Sequence, residues 1–179
     1  KARPPTLLGY PNQQSFRPGE TVRLHTSISA ARFNVTIERV GRRRERVWMK
    51  HGVKGGEHAI PKDASSHGCG WPVSVEDRIP DDWRSGYYEA VVSPGSGGKF
   101  RATIPFVVRP AHPGRDAKIL LQIATNTDNA YNNWGGTSLY AYHGRAGVQG
   151  HRVSFDRPPS SQINNWERPF IQWAEKNGY

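Results

Sequence analysis

The residues best suited to chemistry lie between Ala124 and Tyr140, a stretch with four Asn, one Asp, two Tyr, one Trp and a Gly pair. We call residues 124–140 the Asn-rich segment. Its polar side chains could line a pocket and hydrogen-bond a substrate amide; the candidates are Asn126, Asp128, Asn129, Asn132, Asn133 and Trp134. The alternative is structural, because Asn and Asp bond their own backbone in turns and cap helices. The residues alone leave both interpretations open.

The Asn-rich segment directly follows a mostly apolar run, residues 117–123. Such a run is typical of a strand buried on both faces of a parallel sheet. In open α/β sheets, ligands bind at the carboxyl ends of the strands. The pattern therefore predicts a strand over residues 117–124 that presents the Asn-rich segment as a ligand-binding loop.

The chain after this strand contains too few predicted elements to complete an α/β fold. A strand is predicted over residues 150–155 and a helix over residues 167–178, with Pro169 in its first turn and Gly178 at its end. These elements cannot close an α/β layer. We therefore predict that residues 117–179 are the first part of an incomplete α/β domain. The whole chain is then the N-terminal part of a longer polypeptide or one piece of a split protein.

The chain before Arg109 predicts an antiparallel β structure. Apolar and polar side chains alternate over residues 21–29, and residues 33–39 repeat the pattern, which is typical of half-buried strands. Further short strands, separated by Gly- and Pro-containing turns, are predicted over residues 6–10, 46–50, 84–92 and 99–108. Several short strands of this kind favour an immunoglobulin-like β-sandwich over residues 1–109, joined to the α/β domain by a linker at 110–116.

The composition favours a β-rich chain with a basic surface. Gly 19 and Pro 14 among 179 residues, with 35% apolar residues, indicate many turns rather than a helical bundle. The net charge is +10, and part of it comes from Arg42, Arg43, Arg44 and Arg46 in one predicted turn, which we interpret as a solvated loop. No aromatic residues accompany these charges at the spacing of a nucleic-acid motif, so no nucleic-acid partner is predicted.

The apolar runs and the cysteine content exclude a membrane-spanning protein and a disulfide-linked chain. No apolar run reaches the about 18 residues that a membrane span needs, and the single cysteine, Cys69, excludes an intrachain disulfide. Location in the cytoplasm and secretion after signal removal both stay open. Cys69 lies two residues from His67, but a zinc site needs about four ligands. A buried structural thiol is therefore predicted.

Four aromatic residues of the first region could form a sugar-binding platform: Trp71, Trp83, Tyr87 and Tyr88. Aromatic side chains of this kind bury large apolar areas and dominate cores. We therefore expect these residues to belong to the core of the sandwich, with sugar binding as the alternative.

Six blocks of the chain carry a resemblance to a known family: residues 18–20, 68–72, 80–88, 106–109, 124–140 and 153–158. Taken in this order, they resemble the large (beta) subunit family of N,N-dimethylformamidase. The most specific block is Ala130-Tyr131-Asn132-Asn133-Trp134-Gly135-Gly136. The resemblance implies a β-sandwich followed by a Rossmann-like domain related to class I glutamine amidotransferases. It also implies hydrolysis of a small formamide at a mononuclear iron (Fe3+) held by two tyrosines and a glutamate.

The resemblance assigns one of the iron ligands to this chain. Tyr131 is the counterpart of one tyrosine, because it lies in the loop after the first predicted strand of the second domain. Phe155 stands in the region of the second tyrosine and cannot ligate a metal, which leaves Tyr140 or Tyr142 as a substitute. The glutamate would lie beyond Tyr179. The chain therefore resembles a family enzyme whose metal site is incomplete.

Two functions follow from these observations. The first is an N-terminal fragment of a dimethylformamidase-like amidohydrolase, inactive as this chain alone. The second is a non-catalytic β-sandwich module that binds a glycan or a protein. In either case the apolar strand at 117–123 would be exposed unless it is covered. We expect a second chain, the remainder of the polypeptide or a second copy of this chain to cover it.

Overall fold

The chain folds around one mixed β-sheet, as a computed structural model shows. The structure describes residues 6–97, 100–115, 117–143, 147–160 and 162–179. Its strands are β1 (Leu7–Pro11), β2 (Ser15–Phe16), β3 (Thr21–Val40), β4 (Arg44–Gly56), β5 (Val73–Arg78), β6 (Gly86–Pro94) and β7 (Ala102–Val108). Its α-helices are α1 (Ala64–His67), α2 (Thr125–Tyr131) and α3 (Glu167–Lys176), with 3-10 turns at Ala141–His143 and Gln162–Asn164. The predicted β-rich class is confirmed.

The longest strand, β3, organises the sheet. Two strands were predicted over residues 21–29 and 33–39, and they form one strand because no Gly or Pro interrupts the residues between them. The first half of β3 pairs with β1 on one edge and β5 on the other. The second half pairs with β4 and β6. β3 therefore belongs to two groups of strands, and the sheet curls along its length.

The curled sheet encloses an apolar core. Alternate residues point inward within each half of β3, among them Leu24 in the first half and Phe33 and Val35 in the second, which are fully buried. They pack against residues of β6 and β7 such as Tyr88 and Phe106. β1 lies close over β7, since a Cβ atom on Gly9 would stand 2.5 Å from the Ile104 side chain. Burial of these apolar side chains is the main stabilising contribution to this half of the molecule.

The part of the chain after β7 contains no strand among the described residues. The predicted strand over residues 117–124 is therefore wrong, and so is the one over 150–155. No described neighbour hydrogen-bonds to the first run, and without a neighbour an apolar run cannot join a sheet. Its exposure is as predicted: Leu120 is 85% exposed, and Ile119 and Leu121 are exposed as well. The predicted helix at the end of the chain is confirmed as α3.

Polar contacts tie α3 to the sheet. Glu175 of α3 accepts hydrogen bonds from the Arg39 side chain, at 3.1 Å from Nη1, and from the backbone N–H of Arg42 at 2.9 Å. Glu89 of β6 is buried and pairs with Arg44 at 2.6 Å and with Arg168 of α3. Arg44 therefore contributes to this network and is more than part of a solvated basic turn.

The predicted division of the chain stays a prediction. Residues on both sides of the predicted linker at 110–116 pack together, as the apolar contact of Val40 and Tyr87 with Ile163 and Ile171 shows. Asp116 at the end of that linker and Lys99 at the start of the strand predicted over residues 99–108 lie outside the described residues. Among the helices that the structure describes, none has the length and apolar character to cross a membrane.

Candidate functional site

The first half of the Asn-rich segment forms a short helix instead of the predicted loop. α2 covers Thr125–Tyr131 and ends at Asn132, whose backbone is extended. Asn, Thr and Asp are weak helix formers, so local propensity does not explain this helix. The explanation lies in contacts from a distant part of the chain, residues 154–160, which pass alongside α2.

Arg157 makes most of these contacts. Its side chain is 1% exposed and donates to the carbonyl oxygens of Ser154 (2.9 Å), Trp134 (2.7 Å) and Asn132 (3.0 Å). It also donates to the side-chain oxygen of Asn129 at 3.2 Å. The last carbonyls of a helix lack partners within the helix, and the negative end of its dipole favours a cation. The guanidinium of Arg157 supplies both the donors and the charge.

No carboxylate of the described residues pairs with Arg157. Burial lowers the pKa of Arg157 to about 10, and the neighbouring Cys69 thiol opposes this shift. A pKa of about 10 keeps the guanidinium charged at neutral pH. The positive charge is therefore balanced by carbonyl dipoles, which is the arrangement that a helix C-terminus offers.

The amide groups of the Asn-rich segment serve mainly its own structure. Asn132 donates to the Pro158 carbonyl at 2.9 Å and accepts from the Trp134 backbone N–H at 3.0 Å. Asn133 donates to the His143 carbonyl at 2.7 Å. Asp128 accepts a hydrogen bond from the Ser160 hydroxyl. These contacts match the structural interpretation of Asn and Asp, while Asn126 is exposed with its side chain in solvent.

The Gly pair lets the segment approach the sheet region closely. Gly135 and Gly136 have φ values of 75° and 155°, which favour glycine. A Cβ atom on Gly136 would lie 2.5 Å from the hydroxyl oxygen of Ser65 in α1. Nearby, Trp134 packs edge-on against Trp71 with ring centroids 5.9 Å apart. Larger residues at the Gly pair would push the segment away from α1.

Three phenols and an imidazole gather beside the end of α2: Tyr131, Tyr140, Tyr142 and His143, which we call the tyrosine cluster. The ring centroids of Tyr131 and Tyr140 are 4.3 Å apart, and those of Tyr131 and His143 are 5.4 Å apart. The backbone brings these residues together, since the Leu139 N–H donates to the Ala130 carbonyl at 2.9 Å. Tyr142 is 70% exposed, so solvent reaches the cluster.

A family model for the N,N-dimethylformamidase beta subunit-like, C-terminal family matches residues 34–179. The match includes α2, the tyrosine cluster and Arg157. The chain belongs to this family. A comparison with curated proteins finds no match. The family description names a beta subunit, and therefore an enzyme with more than one kind of chain.

For a member of the dimethylformamidase beta subunit-like family, the phenols of the tyrosine cluster are candidate ligands of the iron that the resemblance implies. Phenolate oxygen is a hard donor of the type that ferric iron prefers. A hydrogen bond with Tyr142 raises the pKa of Tyr131, and a hydrogen bond with Tyr140 opposes this rise. Without a cation, Tyr131 is therefore a neutral phenol at neutral pH, and metal binding would release its proton.

The donor set of the cluster fits part of an iron site. Tyr131 and Tyr140 supply two phenols in contact, and Tyr142 supplies a third. Among the residues that the structure describes, no three or more His, Cys, Asp or Glu side chains are grouped to hold a metal. The cluster of this family member thus offers the tyrosines of the expected ligand set, and no carboxylate of the described residues is among the groups that shift the pKa of Tyr131.

A separate cavity of about 40 Å³ lies between the Asn-rich segment and the sheet. Asp128, Asn129 and Asn132 line it, together with Arg157 and apolar residues such as Phe106. Burial raises the pKa of Asp128, and the Ser160 hydroxyl bonded to it opposes the rise. Tyr131 and Tyr140 do not line this cavity. The predicted ligand residues Tyr131 and Tyr140 therefore do not share this cavity with Asp128, Asn129 and Asn132, which are three of the six predicted substrate residues.

The burial of individual side chains tests the remaining predictions about candidate sites. Cys69 is buried, and burial raises its pKa to about 11 although Arg157 opposes the shift, so the structural thiol is confirmed. Trp71, Tyr87 and Tyr88 are buried, as expected for core residues. Arg157 was not singled out from the sequence. The only signal was its place in the last resemblance block, directly before two prolines.

Proposed function

We propose that this chain is part of a dimethylformamidase-like amidohydrolase, which hydrolyses the C–N bond of a small amide at an iron ion held in part by Tyr131 and Tyr140. The observation that carries the proposal is the contact between these two phenols, 4.3 Å between ring centroids. Tyr131 belongs to residues 130–136, the block most specific to the family, and Tyr140 follows this block by four residues. Tyr142 and His143 border the same solvent-accessible face.

The residues of this chain would hold the iron ion and orient the substrate, and they would not react with the substrate themselves. Phenolates of Tyr131 and Tyr140 would bind the ion, and Tyr142 would exchange its hydrogen bond to Tyr131 for water or substrate. When bound, an iron ion polarises an amide carbonyl and lowers the pKa of water. The exposure of Tyr142 leaves a route for a small amide to reach the cluster.

We further propose that another part of the enzyme completes the site with a carboxylate. Among the described residues, no carboxylate is one of the groups that shift the pKa of Tyr131, and the family is named for one subunit of a larger enzyme. The exposed apolar run at Ile119–Leu121 supports a covering partner, because a few adjacent large apolar residues in water are typical of contact surfaces. Such a partner could be a second kind of chain, more of the same polypeptide or a second copy.

We also propose the finer fold assignment that the resemblance implies. The curled sheet around β3 would be a variant of an immunoglobulin-like β-sandwich. Its two groups of strands pack across one core, as the two layers of a sandwich do. The region from residue 117 onward would be the first part of a Rossmann-like domain that another part of the enzyme completes. A structure of the complete enzyme tests both assignments.

Iron content and amide hydrolysis test the proposed activity. The complete enzyme with wild-type chain should contain about one iron per copy of this chain and release amine from dimethylformamide. Tyr131→Phe and Tyr140→Phe should lose iron and activity together. Tyr179→Phe is the matched control, since this exposed phenol lies beside Trp173 and away from the cluster. Iron content unchanged in both cluster variants would refute the proposal.

The alternative function is a non-catalytic interaction module. One observation favours it: exposed aromatic residues follow each other along α3, namely Trp166, Phe170 and Trp173. Rows of exposed aromatic side chains are enriched at protein interfaces. An enzyme preparation that contains no iron and hydrolyses no amide, yet still binds a partner through this face, would establish the alternative.

A further inference from the structure

We infer that Arg157 is a positioning residue for the proposed metal site, an inference that rests on the function proposed above. Its guanidinium fixes the carboxyl end of α2 and thereby the direction in which the Tyr131 phenol points. The hydrogen bonds of Arg157 reach the residues before and after Tyr131 rather than the rings of the tyrosine cluster.

The contacts of Arg157 surround Tyr131 in sequence. Two of its bonds reach Asn129, two residues before Tyr131. Further bonds reach the carbonyls of Asn132 and Trp134, one and three residues after it. Tyr131 is the last residue of α2, where a helix ordinarily frays. Because the carbonyls on both sides are held, the backbone of Tyr131 cannot rotate without breaking bonds to a buried charge.

Arg157 can hold these carbonyls because its own backbone is fixed to the sheet region. The Ser154 N–H donates to the Ser65 carbonyl at 2.9 Å, and the Cys69 N–H donates to the Asp156 carbonyl at 2.8 Å. Ser65 is buried, and Cys69 packs with Trp71 in the same apolar cluster as Ala64. The position of Tyr131 is thus set from the rigid half of the molecule through residues 154–157.

The chemistry of this position requires arginine. A guanidinium presents five N–H groups in a fixed plane, whereas the ammonium group of lysine presents three from a single point. The acceptors of Arg157 lie on four different residues, Asn129, Asn132, Trp134 and Ser154. Lysine would keep the charge at the end of α2 but could not bond all four. Arg157→Lys therefore keeps the positive charge at the end of α2 and removes the hydrogen-bond geometry, so this variant tests the geometry alone.

Hydrogen exchange tests the inference in the complete enzyme without reference to iron. In Arg157→Lys, amide exchange over residues 129–134 should be at least about tenfold faster than in wild type, because hydrogen bonds to charged groups each contribute about this factor or more. Exchange in β6 and β7 should stay at the wild-type rate. Arg39→Lys is the matched control, a second buried arginine that bonds Glu175 and not α2. Unchanged exchange over residues 129–134 in Arg157→Lys would overturn the inference.

A second measurement follows the Tyr131 ring directly. In protein labelled with 3-fluorotyrosine, the resonance that disappears in Tyr131→Phe identifies this ring. Arg157→Ala should shift and broaden that resonance, and free guanidinium at millimolar concentration should restore it, which a general loss of stability would not allow. A Tyr131 resonance that is the same in Arg157→Ala and wild type would contradict a positioning role.

The two proposals fail in different ways. If wild-type enzyme contains no iron, the proposed function fails, while the exchange and fluorine measurements still decide whether Arg157 positions Tyr131. If wild-type enzyme contains iron, the visible absorption band of iron–phenolate should weaken in Arg157→Lys and stay unchanged in Arg39→Lys. An unchanged band in Arg157→Lys would overturn the inference and leave the proposed function intact.

Discussion

The two halves of the molecule are stabilised by different kinds of interaction. Residues 7–108 fold around an apolar core in which side chains such as Phe33 and Phe106 are fully buried. Residues 117–179 bury few apolar side chains, with Ile163 and Ile171 as examples, and depend on charged contacts of Arg157 and Glu175. Apolar burial thus provides the scaffold, and directional polar bonds place the candidate site on it. Changes in the first half should affect global stability, and changes in the second should act locally.

The largest effect is expected from the core of the sheet. Phe33→Ala should lower the free energy of unfolding by about 4 kcal/mol, because it removes a fully buried aromatic ring and leaves a cavity. Urea unfolding measures this change. Phe100→Ala, at a position 56% exposed, is the control and should change stability little. A small effect at Phe33 would show that the sheet does not depend on its apolar core.

The next largest effect is expected at Glu89, where the two halves meet. Glu89→Gln should cost about 3 kcal/mol, because a buried carboxylate is removed from between Arg44 and Arg168. Hydrogen exchange should locate the loss in α3 and the neighbouring ends of β4 and β6. Glu76→Gln removes an exposed ion pair with Arg23 and should change stability by well under about 1 kcal/mol. Equal effects of the two variants would contradict the role of the buried network.

A smaller effect is expected from Glu175 and depends on pH. Burial alone would raise the pKa of Glu175, but the Arg39 guanidinium and the Arg42 backbone N–H outweigh it and hold the pKa below its ordinary value. A lowered pKa in the folded state stabilises the protein above the unfolded-state pKa, and this contribution disappears as the pH falls through the folded-state pKa. We expect about 1 kcal/mol at neutral pH, because the pair is partly solvated.

Titration of α3 checks this prediction. The protection factors of the α3 amides, which are corrected for the intrinsic pH dependence of amide exchange, should fall as the pH is lowered from 7 to below about 4 and Glu175 is protonated. Glu175→Gln should show low protection at every pH and little of this dependence. The same acid dependence in the variant and in wild type would assign the effect to other carboxylates.

The smallest effect on stability is expected at the exposed apolar run. Leu120→Ser should change the free energy of unfolding by less than about 0.5 kcal/mol, since Leu120 is 85% exposed. If a partner covers this run, the same change should weaken the complex about tenfold or more. Ile60→Ser, also at an exposed position, is the control. Sedimentation of the complete enzyme measures the association, and equal affinities of both variants would exclude the run as a contact surface.

The sequence predicted the sheet well because strand patterns are local. Alternation of Val22, Leu24 and Phe33, Val35 with polar residues reports which face is buried. Gly- and Pro-containing turns were predicted between the strands, and Gly19, with φ of 88°, lies in such a turn directly after Pro18. What alternation cannot show is that two predicted strands join into β3, because it carries no information on pairing partners.

The candidate site was predicted less completely because its contacts are distant in sequence. Tyr131 and Tyr140 were singled out through the family resemblance, and the structure brings their rings together. The helix α2 was missed because weak helix formers build it and Arg157, more than 25 residues away, supports it. The apolar run before it was interpreted as a strand, since periodicity cannot reveal that no described neighbour pairs with it.

The length of β3 has a consequence for how the protein folds. One continuous strand pairs with β1 and β5 at one end and with β4 and β6 at the other, and its pairing with β4 is irregular between Ile28 and Arg32. A shift of one residue in any of these pairings would turn the inward-facing side chains of the shifted strand outward. The pairing of β3 with β6 also joins residues 49 to 61 positions apart, which slows the search for the native state. We expect slow formation of the sheet in a single cooperative step, with the strand β3 as its shared template.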